Sequence, residues 1–329
     1  MSNPSNKNLK SGRSLPWEPG TTPLMLAPMQ GVTNRATRAL FVDWVQPDVL
    51  FTEFMRVSAV GRKRLAKNDL RDVAASEQGV PLVVQLVGHG TETLCAAARV
   101  VEAGGARHVN LNLGCPYGRM TTSATGGKLL QQPSELEQLI PALRRSITGT
   151  FSIKLRAGYD DPQQIFDLLP LCEAAEVDFL ILHPRTVVQE YAGHADHTIT
   201  AEVVRRTSLP VIANGDICTA ADGMRTLDDT GAAGLMLGRG AISDPLLFDR
   251  IRRKLPATTQ PSERAAQLRR YLTDLLERYR TLFCGDAQVL SKVKGVVLFI
   301  QDPVFDTQLL RLRKARDLKI FTQLLDDLA

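Results

Sequence analysis

Short apolar segments alternate with longer amphipathic segments along most of the chain. The short segments are rich in leucine and β-branched residues, and they are apolar on both faces, as strands buried in a parallel sheet are. Eight such units in roughly 200 to 250 residues predict a closed (β/α)8 barrel, a TIM barrel of the α/β class. The segments are Leu24 to Ala27, Asp48 to Thr52, Leu82 to Leu86, Val109 to Leu113, Phe151 to Leu155, Phe179 to Leu182, Pro210 to Ala213 and Gly234 to Leu237.

A doubly wound parallel sheet is the alternative that the same alternation leaves open. That fold carries its phosphate-binding glycines directly after the first strand, in the pattern GxGxxG. The first apolar segment is instead followed by Pro28, Met29, Gln30 and Gly31. The barrel is therefore the favoured fold.

The pattern changes at both ends of the barrel segment. Residues 1–20 are polar and aperiodic, which predicts a disordered tail before a barrel domain at 21–256. The alternation stops after Pro256, and Ala257 to Pro261 is typical of a linker. Residues 262–329 predict a small all-helical C-terminal domain, with amphipathic stretches at about Ser262 to Arg280, Ala287 to Gln301 and Asp306 to Leu328.

The positive charge is concentrated in that C-terminal segment. Residues 250–329 hold 16 Lys and Arg against 9 Asp and Glu, a net charge of +7, whereas the whole chain has +5. A basic segment beside a nearly neutral barrel predicts a polyanionic partner, because phosphate contacts release counterions. A solvated helical face is the alternative explanation.

Composition also excludes several classes of protein. No stretch approaches the ~18 to 20 apolar residues that span a bilayer, and the N-terminus lacks the apolar block of a secretory signal. We therefore expect a cytoplasmic protein without a membrane partner. We also expect a monomer. The five cysteines are scattered and lack metal-ligand spacing, which predicts reduced thiols and no bound metal. We interpret Cys95, Cys172 and Cys218 as inert core residues.

Polar residues follow nearly every apolar segment, at the end of the barrel where such enzymes hold their active sites. The glycines and the arginine after the last two segments predict a phosphate site. This set comprises Pro28, Met29, Glu53, Gln85, Asn112, Cys115, Lys154, Arg156, His183, Asn214 to Asp216, Gly238 and Arg239.

The motifs that hold these residues resemble those of the flavin-dependent tRNA-dihydrouridine synthases, in order, over about Leu24 to Asp249. EFMRV at 53–57 is most similar to the bacterial C-type enzymes, which act on nucleotide 16 of the D-loop. The motifs are LAPMQGV (26–32), TEF (52–54), VQL (84–86), NLGCP (112–116), GGKLL (126–130), IKLR (153–156), HPRT (183–186), VIANGD (211–216) and MLGRG (236–240).

The resemblance implies reduction of a D-loop uridine in tRNA to 5,6-dihydrouridine, with hydride from bound FMN that NADPH or NADH recharges. It implies that Cys115 donates the proton, a role that suits a thiol still protonated at neutral pH. Candidate substrate contacts are Asn112, Tyr117, Arg119, Lys292 and Lys294. The implied cofactor residues are Pro28, Met29, Gln30, Gln85, Lys154, His183, Asn214, Gly215, Asp216, Gly238 and Arg239.

The sequence departs from the family pattern after Cys115, where Tyr117 to Met120 replace a small residue followed by a basic one. Arg119 or Lys128 could supply the basic contact, and Tyr117 could pack on a base. Two other functions stay open. One is a small-molecule barrel enzyme, either a flavin-dependent dehydrogenase of a free pyrimidine or an aldolase that uses Lys154 as nucleophile. The other is a catalytically inactive RNA-binding relative.

Overall fold

The computed structural model describes residues 14–58, 65–74, 76–116 and 125–328. The predicted substrate contacts Tyr117 and Arg119 lie outside the described residues.

All eight predicted apolar segments form strands of one parallel barrel, which confirms the predicted fold. Two short additional strands, β3 and β4, pair with β5 beside the barrel path. The strands are β1 (Leu24–Leu26), β2 (Leu50–Phe51), β3 (Met55–Arg56), β4 (Ser76–Glu77), β5 (Val80–Val87), β6 (His108–Leu113), β7 (Thr150–Arg156), β8 (Phe179–His183), β9 (Val211–Asn214) and β10 (Gly234–Leu237).

Neighbouring strands are parallel in the order β1, β10, β9, β8, β7, β6, β5 and β2. The circle closes where Met25 of β1 pairs with Val49, just before β2. The Leu26 N–H donates to the Val49 carbonyl at 3.1 Å. All the strands of the circle therefore end at one rim, and the polar residues that follow them are brought together there.

Helices surround the barrel, and some of them begin at residues whose side chains cap the helix N-terminus. Asn34 caps α1 by accepting hydrogen bonds from the N–H groups of Ala36 and Thr37, and Thr219 with Asp222 forms a capping box at α7. The helices of this layer are α1 (Arg35–Val45), α2 (Lys67–Leu70), α3 (Thr91–Ala103), α4 (Pro133–Ser146), α5 (Gln164–Ala174), α6 (His197–Arg206), α7 (Ala220–Thr230), α8 (Arg239–Ser243) and α9 (Leu247–Ile251), with a 3-10 helix at Gly126–Gln131.

The C-terminal segment is helical, with one more break than the sequence pattern predicts. It forms α10 (Pro261–Leu282), α11 (Asp286–Val297), α12 (Asp306–Lys314) and α13 (Leu318–Asp326). The predicted stretch from Asp306 to Leu328 is two helices, because Asp317 caps α13 by accepting from the Ile320 N–H at 2.8 Å. No helix in the described part of the chain is both long and apolar enough to cross a membrane.

Helix α10 packs on the barrel helix α1 through a shared apolar core and buried polar contacts. The Tyr279 hydroxyl lies 2.8 Å from the Thr37 hydroxyl, and the Trp44 indole N–H donates to Asp274 at 2.8 Å. One cluster of buried side chains includes Leu40 of α1 and Leu272 of α10. The division into a barrel domain and a separate helical domain stays a prediction, and the two parts share one core.

The prediction of disorder over residues 1–20 is wrong for the last part of that segment, from residue 14 onward. Trp17 is buried at the N-terminal end of the barrel, where its ring meets the Phe179 ring edge-on at a centroid distance of 4.9 Å. It joins the layer that fills the barrel interior, which includes Met25, Phe51 and Ile212. A single tryptophan in a polar stretch carries no periodicity, so pattern analysis could not detect this anchor.

Candidate active site

A cavity of about 420 Å³ opens at the rim formed by the strand ends. A larger open groove of about 1220 Å³ lies around Trp17 and His108 at the opposite end, and none of the predicted site residues lines it. The predicted site residues that line the cavity are Pro28, Met29, Gln30, Asn112, Cys115, Lys154, Arg156, His183, Asn214, Gly215, Asp216, Gly238 and Arg239.

Gln85 is a predicted cofactor contact that the structure does not bring to the cavity. Its side chain is fully buried one layer below, beside Asn110 on the neighbouring strand. It donates to Asn110 Oδ1 and accepts from Asn112 Nδ2, each at 2.8 Å. Gln85 therefore supports Asn112 from beneath, and its predicted contact with the cofactor stays a prediction.

Asn112 fixes the backbone that carries Cys115. Its Oδ1 accepts from the N–H groups of Gly114 and Cys115, both at 3.0 Å, so that the chain turns sharply at the end of β6. The Gly127 N–H donates to the Cys115 carbonyl at 3.1 Å. Cys115 is thus held from both sides with its half-buried side chain at the cavity wall. The predicted role of Asn112 as a substrate contact stays a prediction, and its observed contacts position Cys115.

Lys154 supplies a half-buried positive charge on the adjacent strand, directly opposite Asn112 in register. Burial lowers the pKa of Lys154 to about 8, and the nearby Arg156 cation acts in the same direction. No ion pair joins Lys154 to a carboxylate among the described residues. A lysine in this setting is suited to an anionic ligand or to amine chemistry.

His183 lies at the end of β8 and lines the cavity. Burial lowers its pKa well below the ordinary value, and the cations Lys154, Arg156 and Arg185 add to that effect. The ring is therefore neutral at physiological pH. Gly215 lies against it, because a Cβ at that position would stand 2.7 Å from His183 Cδ2 and the backbone φ is +125°. Only glycine fits between the β9 turn and this ring.

Two side chains of the predicted phosphate loop are bound within the protein. The Asn214 amide donates to the Met236 carbonyl at 2.9 Å. The Asp216 carboxylate accepts from Arg185, Arg239 and the Ala195 N–H. Burial raises the pKa of Asp216, but the bonds from Arg185 and Ala195 lower it to a net value below the ordinary one. The predicted phosphate contact of this loop stays a prediction.

Several lining residues escaped the sequence analysis. Tyr191 lies between two guanidinium groups, with Arg239 at 4.7 Å and Arg156 at 5.4 Å from its ring centroid. Phe54 and Phe299 also line the cavity, the latter just beyond α11. Tyr191 and Phe299 are far from any predicted strand end, so no local signal marked them. Cys218, interpreted from sequence as a core residue, is exposed and lines the same cavity.

The two C-terminal lysines do not line the cavity. Lys294 donates to the Ala315 carbonyl at 2.9 Å, which satisfies the end of α12, so its observed contact is structural. Lys292 lies 5.5 Å from the Phe283 ring centroid. Burial raises the pKa of Glu53 to about 7, although the cations Arg38 and Lys292 oppose that shift. Lys292 thus faces the loop that follows β2.

The fold and site define a class of protein: a parallel (β/α)8 barrel with a thiol, a half-buried lysine and a neutral histidine at its mouth. The family model for dihydrouridine synthase matches residues 25–294. The chain therefore belongs to the dihydrouridine synthase family, oxidoreductases that reduce uridine to dihydrouridine in tRNA. The predicted resemblance is confirmed.

Individual relatives support the same assignment. A probable tRNA-dihydrouridine synthase of Rhodobacter capsulatus is 34% identical over 73% of this chain and 76% of its own length. A tRNA-dihydrouridine(16) synthase of Haemophilus influenzae is 36% identical over 68% and 74%. A tRNA-dihydrouridine synthase B of Yersinia pestis is 32% identical over 71% and 73%. The chain is thus similar to tRNA-dihydrouridine synthases that carry three different names.

Proposed function

We propose that this protein reduces uridine 16 in the D-loop of tRNA to 5,6-dihydrouridine, with FMN bound in the cavity and NADPH or NADH as the reductant. The observation that supports the proposal best is the meeting of Cys115 and Lys154 in one cavity at the strand ends. A proton donor and a stabiliser of negative charge are the two groups that reduction of a polarised double bond requires from a protein.

The residues present fit a flavin. Lys154 is a half-buried cation without a carboxylate partner among the described residues, which suits an anionic ring or phosphate. Pro28, Met29 and Gln30 would hold one side of the cofactor and His183 the other, with Arg239 and the Gly215 backbone toward its phosphate. When bound, FMN supplies a hydride to carbon 6 of uracil.

Cys115 would deliver the proton to carbon 5 from its Sγ atom. Asn112 and Gly127 hold the Cys115 backbone, so the thiol needs little reorganisation to donate its proton from one fixed direction. The sulfur gives up a proton and keeps the electron pair. Lys154 is close enough to interact electrostatically with that sulfur, so the negative charge left behind is compensated.

The nucleic acid must present its base outside the stack, because carbons 5 and 6 are otherwise covered by neighbouring bases. The basic C-terminal segment provides the charge to hold such a distorted RNA, with net +7 over residues 250–329. In the proposed complex, that segment contacts phosphates of the tRNA while the flipped uracil lies in the cavity.

The direct experiment is single-site mapping of dihydrouridine in unmodified tRNA after incubation with purified protein, FMN and NADPH. We expect dihydrouridine at position 16 and none without reductant. Reduction only at another D-loop position would correct the target and keep the activity. A flavin-loaded protein that reduces no tRNA would favour an inactive RNA-binding relative.

One observation favours a second candidate, an aldolase-type enzyme that forms a Schiff base. The pKa of Lys154 is lowered to about 8, which leaves an appreciable fraction of free amine at neutral pH. Borohydride reduction in the presence of a mixture of small aldehydes and ketones, followed by mass spectrometry, tests it. Covalent labelling at Lys154 would support this candidate, and an unlabelled Lys154 would leave the reductase.

Replacing Arg239 with alanine should weaken FMN binding about 10- to 100-fold, the value of one or two charge-assisted hydrogen bonds. The Arg239 side chain is more exposed than the Asp216 side chain with which it forms an ion pair, so its guanidinium can turn toward a phosphate. Flavin fluorescence during titration measures the dissociation constant. Arg225→Ala is the matched control, since Arg225 forms an exposed ion pair with Asp222 on α7. Equal affinity in both variants would remove Arg239 from the cofactor site.

Reversing charge in the C-terminal segment should weaken tRNA binding and flatten its salt dependence. Lys314 and Lys319 are exposed, and glutamates there should lower the slope of log K against log salt by about one per lost phosphate contact. Filter binding at several salt concentrations measures it. The double variant Arg205→Glu and Arg225→Glu makes the same charge change on the barrel helices. A larger loss in that control would place the RNA on the barrel instead.

A further inference from the structure

We propose that Arg185 is a positioning residue that fixes His183 in its Nδ1–H tautomer and holds the Asp216–Arg239 pair in place, without itself touching substrate or cofactor. Arg185 is two residues beyond the end of β8 and only 2% exposed. The inference about the His183 tautomer depends only on contacts within this chain. Its consequence for the cofactor rests on the proposed function.

Every donor of the Arg185 guanidinium is already used inside the protein. The group carries five N–H bonds and no acceptor. Nε donates to the Ala192 carbonyl at 3.2 Å. Nη1 donates to His183 Nε2 at 3.2 Å and to Asp216 Oδ1 at 3.0 Å, and Nη2 donates to the Gly193 carbonyl and to Asp216 Oδ2, both at 2.6 Å. No N–H remains for a phosphate or a base, so Arg185 acts through its neighbours.

The contact with His183 decides which ring nitrogen carries the proton. Because arginine can only donate, His183 Nε2 must accept and is therefore unprotonated. In the neutral ring the proton then resides on Nδ1. His183 lines the cavity, so Nδ1–H is the ring donor that it can offer to an acceptor there. Arg185 thus sets whether this position presents a donor or an acceptor.

The contact with Asp216 restrains a strained turn. Asp216 has φ +51°, in the left-handed region that residues other than glycine rarely adopt. The two-pronged bond from Arg185 holds the carboxylate in that conformation, and the same carboxylate accepts from Arg239 at 3.0 Å. Arg239 in turn packs on the Tyr191 ring. Removing Arg185 would leave Asp216 and Arg239 free to relax away from the cavity wall.

The decisive measurement is the nitrogen NMR spectrum of the histidine rings in the full-length chain, without added cofactor. His183→Gln identifies the His183 signals. We expect wild-type Nδ1 to resonate as a protonated nitrogen and Nε2 as an unprotonated one. In Arg185→Met we expect that preference to be lost, with a mixture of tautomers. An unchanged His183 spectrum in Arg185→Met would overturn the proposal.

A matched control separates positioning from general stability. Arg144 is another buried arginine, paired with Asp178 at 2.6 Å and donating to the carbonyls of Ile147 and Gly149. It lies between α4 and the starts of β7 and β8, at the far end of the barrel. Arg144→Met should lower stability and leave both the His183 tautomer and FMN affinity unchanged. Equal loss of FMN affinity in the Arg144 and Arg185 variants would reduce Arg185 to a structural residue.

For the loaded protein, Arg185→Met should bind FMN about 10-fold or more weakly, as outer contacts that orient metal-binding histidines do. If Arg185→Met does not fold, Arg185→Lys decides the matter. Lysine keeps the charge but has three donors on one nitrogen, so it cannot reproduce the two-pronged bond to Asp216 together with the bonds to His183 and the two carbonyls. Retention of both the wild-type tautomer and wild-type affinity in Arg185→Lys would overturn the proposal. If the wild-type protein does not bind FMN, the proposed function is wrong, but the inference about the His183 tautomer is unaffected.

Discussion

Replacing Cys115 with alanine is expected to slow the reoxidation of reduced enzyme by unmodified tRNA by ~10² to 10⁴, the usual cost of losing a general acid. Reduction of the bound flavin by NADPH needs no proton from this thiol and should keep its rate. Rapid mixing of pre-reduced enzyme with tRNA, followed by flavin absorbance, isolates the affected step.

Cys218 provides an unusually close control for that experiment, because it is a second thiol on the wall of the same cavity. Cys218→Ala should reoxidise at the wild-type rate. If Cys115→Ala also keeps that rate, another residue or water supplies the proton. If both variants are slow, the effect belongs to the cavity wall rather than to one acid.

Leu272→Ala is expected to destabilise the protein by about 2 to 5 kcal/mol, through lost apolar contact and the cavity left behind. Leu272 is fully buried in α10, within the core that also holds Leu40 of α1. Because the C-terminal helices and the barrel share this core, the whole chain should unfold in one transition at a lower denaturant concentration.

Urea unfolding followed by both circular dichroism and flavin release tests that expectation. Leu310→Ala is the control, because Leu310 lies on α12 and is 44% exposed, so its truncation should change stability by about 0.5 kcal/mol or less. Two separate transitions in Leu272→Ala, with flavin released only in the second, would show independent domains and contradict the shared core.

The positions of the strands could be predicted because the barrel imposes a simple rule on the sequence. Segments buried on both faces must be apolar, and only the residues at their ends are free to be polar. This rule located Cys115, Lys154 and His183, and the structure brings all three to one cavity. Chain order and strand periodicity were sufficient for that part of the site.

Depth within the barrel was harder to predict. Gln85 and Asn112 both follow the rule, but parallel register places Gln85 beside Asn110, one layer below Asn112. The level of a polar residue along the barrel axis depends on how its strand is aligned with the neighbouring strands. The sequence of one strand does not reveal that alignment. Gln85 therefore supports the cavity floor through Asn112, and the cofactor contact that its motif suggested stays a prediction.

Side-chain partners from distant loops were also beyond the sequence analysis. Asp216 follows a strand end, and its carboxylate accepts from both Arg185 and Arg239, partners that its own position in the sequence does not reveal. Phe299 reaches the cavity from beyond α11 because α10 and α11 fold back onto the barrel. Such contacts depend on how elements pack, which local propensity and spacing do not specify.

Trp17 has a consequence for the order in which the proposed complex assembles. With Trp17 and Phe179 packed into the N-terminal end of the barrel, the described interior is filled with side chains below the cavity. In the proposed complex a flavin would therefore enter and leave through the mouth, the side on which the RNA would also bind. FMN would then load before the RNA, and a bound tRNA would keep the flavin in the cavity until the tRNA dissociates.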